Sequence, residues 1–180
     1  MNKVGIVLLN MNGKKYLKGC LDSIVCQSYK SYKVIFVDNG SYDDSVNFVK
    51  NNYPNVEILA LNKNFGFAGG MNRGIAECLK DKDINYVVCL NNDTVLDKNW
   101  LKNLVKTAED HNCDMVSSKA YFENKQIQNA GLEFPLYRTK FQEGGISVGY
   151  GQNDNQVNLN IDKEIFSPGG VAPLFSKKML

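Results

Sequence analysis

An α/β domain with a mainly parallel central sheet is the fold class this 180-residue chain predicts. Two observations carry that expectation. Apolar runs of strand length alternate four times with segments of helical periodicity, the signature of βα units. Each run also ends in a loop rich in Asn, Asp and Gly, and in open α/β sheets ligands bind beyond the carboxyl ends of the strands, near a switch in strand order.

Val4 to Leu9 forms the first buried strand, which ends at "NMNG". Tyr16, Leu17, Cys20, Leu21, Ile24 and Val25 then recur at helical spacing. "KVIFV" (33–37) is the second strand and ends at "DNGSYDDS". Val46 and Val49 mark a short helix that Pro54 stops, because proline cannot continue the backbone hydrogen bonding. "VEILAL" (56–61) is the third strand and runs into "NKNFGFAGG", after which a helix carries Met71, Ile75, Cys78 and Leu79. The fourth strand, Tyr86 to Leu90, delivers "NNDT", and a helix with Trp100, Leu101, Leu104, Val105 and Ala108 succeeds it. "DMVSS" (114–118) is a fifth strand. From residue 119 the pattern weakens into short strands and loops whose boundaries cannot be placed. Regularity returns at "EIFSPGGVAPLFSKKML", a strand leading into the first residues of a helix.

Composition narrows the function classes. Hydrophobic residues make up 43% and charged ones 22%, the profile of a soluble globular domain. A net charge of +2 leaves no basic stripe for nucleic acid. The five cysteines include no C-x-x-C pair, and Cys20, Cys78 and Cys89 fall on apolar faces, so reduced thiols and a cytoplasmic setting are expected. A zinc site does not fit, since His111 is the single histidine; near the end of its helix it is expected to cap the last carbonyls. A core strand directly after Met1 argues against a secretory leader, and no apolar run is long enough to span a membrane.

The strand-end loops hold the candidate chemistry. In "VDNGSYDDS", Asp38 can accept from a ring N–H of uracil or thymine; equally, Asn39-Gly40 can turn the chain and Ser41 or Asp43 cap a helix. In "NKNFGFAGGMNRG", glycines at a helix N-terminus let backbone N–H groups approach a phosphate, or Gly70 and Gly74 let the helix pack closely on the sheet. The segment is neither a P-loop nor a G-x-G-x-x-G fingerprint, which argues against a dinucleotide-dependent oxidoreductase. In "NNDT", Asp93 can bind a divalent cation on a diphosphate with Asn91 or Asn92 holding ribose or water, or Asp93-Thr94 can form an Asx turn while Asp97 caps the next helix.

Taken in order, "VLLNMNGKKYLKGCLDSI", "VDNGSYDDS", "NFGFAGGMNRGI", "LNNDTVLDKNWL" and "GGVAPLFSKKML" resemble the inverting nucleotide-sugar glycosyltransferases of family 2, most closely the rhamnosyltransferase-like members. The resemblance covers nearly the whole chain and implies a Rossmann-like α/β/α sandwich of the GT-A type. It places Asn10 and Asn12 at the base and ribose, Asp38 on the uracil-type ring with Asn39 and Ser41 beside it, and Asn64, Gly69 and Asn72 near the nucleotide and diphosphate. Asn91-Asn92-Asp93 stands where the family has Asp-x-Asp, so Asp93 is the implied ligand of Mg²⁺ or Mn²⁺ and Asn91 replaces an acid. The implied partners are a UDP- or dTDP-sugar donor and a saccharide or lipid-linked acceptor of cell-surface polysaccharide synthesis, at the cytoplasmic face of a membrane. Residues 1–118 would form the nucleotide-binding βα units and 119–180 the start of the acceptor side. The family's catalytic base lies downstream of "GGVAPLFSKKML", and none of Asp154, Asp162 and Glu164 matches it. The base is therefore expected beyond Leu180 and the chain reads as the donor-binding portion, cut short at its C-terminus; a non-catalytic nucleotide- or carbohydrate-binding module on the same fold is the alternative.

Overall fold

The computed structural model describes residues 1–133, 146–155, 159 and 161–180. Four βα units come first: β1 (Lys3–Asn10), α1 (Lys14–Val25), β2 (Tyr32–Asp38), α2 (Ser45–Asn52), β3 (Glu57–Ala60), α3 (Gly66–Cys78), β4 (Ile84–Asn91) and α4 (Trp100–Asp110). Short strands follow: β5 (Met115–Val116), β6 (Ala120–Tyr121), β7 (Ile127–Asn129), β8 (Leu132–Glu133), β9 (Ile146–Ser147) and β10 (Leu174–Ser176), which leads into a 3-10 turn at Lys177–Met179. The main sheet has the order β3-β2-β1-β4-β10-β5, and β6/β7 and β8/β9 are separate antiparallel pairs. β1 to β4 run parallel; β10 is antiparallel to both β4 and β5. The order reverses between β1 and β4, which puts a crevice at their carboxyl ends.

Alternation along the buried strands sorts side chains into two layers, because successive residues point to opposite faces. Val4, Ile6, Leu8, Val34, Phe36, Val88 and Leu90 pack against Leu17, Cys20, Leu21 and Ile24 of α1, Val49 of α2 and Leu101, Leu104 and Val105 of α4. Val7, Ile35, Val37 and Val87 face Met71 and Cys78 of α3. Each fully buried aliphatic side chain contributes about 1.5–3 kcal/mol. α3 lies close to the sheet because Gly74 has no Cβ; one built there would sit 2.3 Å from Val7 and 2.5 Å from Val37. The close-packing role considered for Gly70 and Gly74 is thus what the geometry requires.

Two details of the fold differ from the sequence expectation. The fifth strand is only Met115–Val116, and it does not pair with β4; residues 174–176 insert between them. The segment leading into β10 is tied beside the end of β4. Trp100 Nε1 donates to Ser118 Oγ (2.8 Å), and that hydroxyl donates to the carbonyl of Ala172 (3.1 Å), a buried residue with φ +49°. His111 also departs from expectation. Its side chain meets Asp162 at 3.2 Å instead of capping carbonyls, and its backbone N–H closes α4 on Thr107. No helix among the described residues is long and apolar enough to cross a membrane.

Candidate functional site

Register assembles the centre of the site. Asn10 pairs with Asp38 across β1 and β2, and Leu9 pairs with Asn91 across β1 and β4, which sets Asn92 beside Asn10. Asn10, Asp38 and Asn92 each lie two residues beyond a buried core side chain, Leu8, Phe36 and Leu90 respectively. The period of two therefore stacks all three on the α1 side of the sheet, one layer above the core.

They form a continuous hydrogen-bonded row. Asn10 is 1% exposed; its Nδ2 donates to Asp38 Oδ1 (3.1 Å) and Ser41 Oγ (3.2 Å), and its Oδ1 accepts from Asn92 Nδ2 (2.6 Å). Asp38, 3% exposed, also accepts from the Ser41 N–H through Oδ2 (3.0 Å). Ser41 Oγ takes a further bond from the Asn12 N–H (2.8 Å), and Asn12 Oδ1 accepts from the Tyr42 N–H (2.9 Å). Asn12 holds φ +50°, a left-handed conformation that asparagine tolerates better than most residues. Buried polar atoms this well paired are fixed in direction. Each Asp38 oxygen has two acceptor sites and uses one, so a base N–H can still be received.

Asn39 lies on the opposite face and builds a second set of contacts. Its Nδ2 donates to Asn64 Oδ1 (3.0 Å) and the Gly66 carbonyl (3.0 Å), while its Oδ1 accepts from the Phe65 N–H (3.0 Å). Asn64 Oδ1 also receives the Gly66 N–H (2.7 Å) at the start of α3. Gly70 permits this approach, since a Cβ there would stand 3.1 Å from the Asn39 amide. Gly40 turns the intervening chain at φ +79°, with its Cβ position only 2.6 Å from the Lys63 backbone.

The residues of the 91–94 loop are less enclosed. The Asn91 carbonyl accepts from Thr94 Oγ1 (2.7 Å) and, weakly, from Cys20 Sγ (3.8 Å). Burial pushes the Cys20 thiol up to about 12, so it is a neutral floor to the loop. Asp93 is exposed, and its carboxylate accepts no hydrogen bond among the described residues. The Asx turn considered there is absent; Asp97 makes one instead, accepting from the Asn99 N–H (2.8 Å). No group of three His, Cys, Asp or Glu side chains is gathered among the described residues. That arrangement fits a cation held by one protein carboxylate with phosphate oxygens and water completing its shell, and not a caged ion.

The structure thus brings Asn10, Asn12, Asp38, Asn39, Ser41, Asn64, Asn91, Asn92 and Asp93 to one sheet edge. Gly69 and Asn72 lie further along α3; Gly69 is half-buried and Asn72 exposed, with no side-chain hydrogen bond among the described residues. Two contributors escape a reading of motifs, and a third plays the capping role considered for it. Gly13 is one, because a Cβ there would fall 2.0 Å from Asn92 Nδ2 and 2.6 Å from Asn10 Oδ1. Arg73 is another: its guanidinium lies 3.6 Å over the Phe65 ring and donates to the Gly69 carbonyl, which puts a cation at the N-terminal turn of α3. Asp43 is the third, accepting from the Lys14 N–H at the start of α1 and from the Ser45 N–H (both 3.0 Å). Burial raises its carboxyl pKa, but the bonds from Ser45 and Lys14 outweigh burial and hold it below the ordinary value. Parity along the strands was the signal available for the Asn10 row and capping propensity the one for Asp43; no local signal marks Gly13 or Arg73.

Comparison with known proteins gives a consistent answer. The family described as Glycosyl transferase family 2 matches residues 5–158. The chain is 27% identical over 126 residues to Glycosyltransferase GlyA of Streptococcus pneumoniae serotype 4, covering 69% of this chain and 18% of that protein. It is 27% identical over 141 residues to the cholesterol galactosyltransferase of Borreliella burgdorferi, covering 75% of this chain and 38% of that one. The chain thus spans well under half the length of these relatives. Among solved structures, S. aureus TarS 1–349 in complex with UDP aligns with a TM-score of 0.58 at 21% identity, over 67% of this chain and 36% of that one. The mannosyltransferase PcManGT of Pyrobaculum calidifontis, in complex with GDP-Man and Mn²⁺, aligns at 0.57 and 22%, over 66% and 36%. At such identities the structural likeness speaks to fold alone, and the fold is of the GT-A type.

Proposed function

The chain belongs to glycosyl transferase family 2, and from that premise we propose that it forms the donor-binding part of an inverting enzyme that moves a sugar from a nucleoside diphosphate to a saccharide or lipid-linked acceptor in cell-surface polysaccharide synthesis. The observation that carries this reading is the hydrogen-bonded row Asn92–Asn10–Asp38, buried at Asn10 and Asp38, beside the exposed Asp93. Asp38 offers a desolvated acceptor to the ring N–H of uracil or thymine, with Asn10, Asn12 and Ser41 shaping the pocket around it. Asn39, Asn64, Gly69 and Asn72, with the α3 N-terminus and Arg73, flank the diphosphate. Asp93 would hold Mg²⁺ or Mn²⁺, which supplies charge compensation for the departing nucleoside diphosphate. The relatives support nucleotide-sugar chemistry, and the run of motifs supports rhamnose as the sugar, at the inner face of a membrane.

A base must take the proton from the acceptor hydroxyl. Among the described residues none of the late acids contacts the Asn92–Asn10–Asp38 row: Asp154 pairs with Lys119 and the Tyr121 hydroxyl, Asp162 with His111 and Thr107, and Glu164 lines a cavity at the sheet edge. That placement favours a donor-binding role for these residues without transfer, which is also the reading of a non-catalytic nucleotide-binding module. Calorimetric titration with UDP and dTDP, each with and without Mn²⁺, tests the proposal. Metal-dependent tightening that Asp93→Ala removes is expected, and the preferred base narrows the sugar. Absence of binding to a folded chain, or tightening untouched by Asp93→Ala, would overturn it.

A further inference from the structure

Asn92 occupies the middle of the metal loop, where the sequence suggests contact with ribose or water. The geometry points to a different task, and we propose that Asn92 is a positioning residue: its amide donates to Asn10 and so holds the Asn10–Asp38 pair that receives the base. This rests on the donor-site reading above.

Both oxygens of Asp38 act as acceptors, one for Asn10 Nδ2 and one for the Ser41 N–H. The NH₂ half of Asn10 must therefore face Asp38 and Ser41, which use both its hydrogens. Its Oδ1 is left pointing toward β4, where Asn92 Nδ2 meets it at 2.6 Å. Turning either amide over would set oxygen against oxygen or N–H against N–H. Since Asn10 is 1% exposed, water cannot repair the mismatch. The row has one self-consistent orientation, and it demands a donor at position 92. Gly13 keeps the gap open, as any Cβ there would displace the Asn92 amide.

The acid of the same shape separates the two roles. A residue that binds ribose hydroxyls or metal-bound water works through an acceptor, so Asn92→Asp would preserve or tighten nucleotide binding. A residue that must donate to Asn10 is damaged most by that change.

The test uses the full chain with UDP and GDP as probes at saturating Mn²⁺. Asn92→Ala should weaken UDP about fivefold to tenfold, the worth of one hydrogen bond to a buried partner. Asn92→Asp should lose about another tenfold, because two acceptors then face one another across a buried contact. Preference for UDP over GDP should fall in the same order. UDP binding by Asn92→Asp equal to the parent, or tighter than that of Asn92→Ala, overturns the assignment. If the parent binds no UDP, the donor reading fails by itself, and thermal midpoints still decide this one. Asn92→Asp melting below Asn92→Ala upholds the row; coincident midpoints overturn it.

Discussion

Two polar regions of this molecule could be taken for its working site, and they are built on different principles. One is a cavity of about 550 Å³ along the outer edge of the sheet, lined by Thr107, His111 and Met115 and by Asp162, Lys163 and Glu164. Its polar side chains pair in solvent: His111 meets Asp162, each more than half exposed, and Lys119–Asp154 and Lys163–Glu133 are ion pairs. Exposed pairs of this kind contribute about 0–1 kcal/mol and leave their side chains free to rearrange. The crevice at the ends of β1, β2 and β4 contains an amide and a carboxylate, Asn10 and Asp38, that are nearly fully buried and, with Asn92, bonded in a single sense. A ligand meeting that crevice finds directions already set, with no ordering cost left for binding to supply. Volume marks where a ligand fits; preorganised polarity marks what it must be.

The contrast breaks most visibly at Gly13. Gly13→Ala drives a methyl into the Asn92 and Asn10 amides, and overpacking there should cost about 1–3 kcal/mol in a urea titration. UDP affinity should fall more than about tenfold with it, because the row that receives the base is pushed apart. Normal affinity in that variant would mean the row does not orient the nucleotide.

A second effect, smaller, separates the thiols beneath the sheet from those at the edge. Burial raises Cys20 to about 12 and Cys78 and Cys89 to about 11, against an ordinary value of 9.0. Only the unfolded chain releases these protons between the two limits, so their contribution is complete below 9.0 and lost as the pH climbs toward 11–12. Denaturation midpoints should decline over that interval, with Cys20→Ala reducing the slope. In thiol labelling the exposed Cys26 should react first and Cys20 last. The smallest effect belongs to the cavity. His111→Ala should change stability by no more than about 0.5 kcal/mol and leave UDP binding alone. Loss of nucleotide binding there would erase the distinction between the regions.

Much of this was legible in the chain because buried parallel strands announce themselves as apolar runs, and the four βα units stand where those runs predict. The rest depends on partners far away in sequence. Asn10 and Asn92 are 82 residues apart, and nothing local to either says that one must donate to the other. His111 reads as a helix cap until Asp162 is brought to it from 51 residues away. β10 is three residues long, too short for any periodicity, and its slot between β4 and β5 is decided only by the assembled sheet.

That slot has a consequence for how the molecule comes into being. β4 and β5 are near neighbours in sequence yet never pair; each bonds instead to a strand that follows β5 by more than fifty residues. Until Leu174–Ser176 arrives, the growing sheet has two unpaired edges facing one another, with the 91–94 loop at the rim of the gap. Closing so long a loop late makes folding slow, and meanwhile the open edge of β4 is a template for a stray strand from another chain. The sheet is finished only when the final strand slides home.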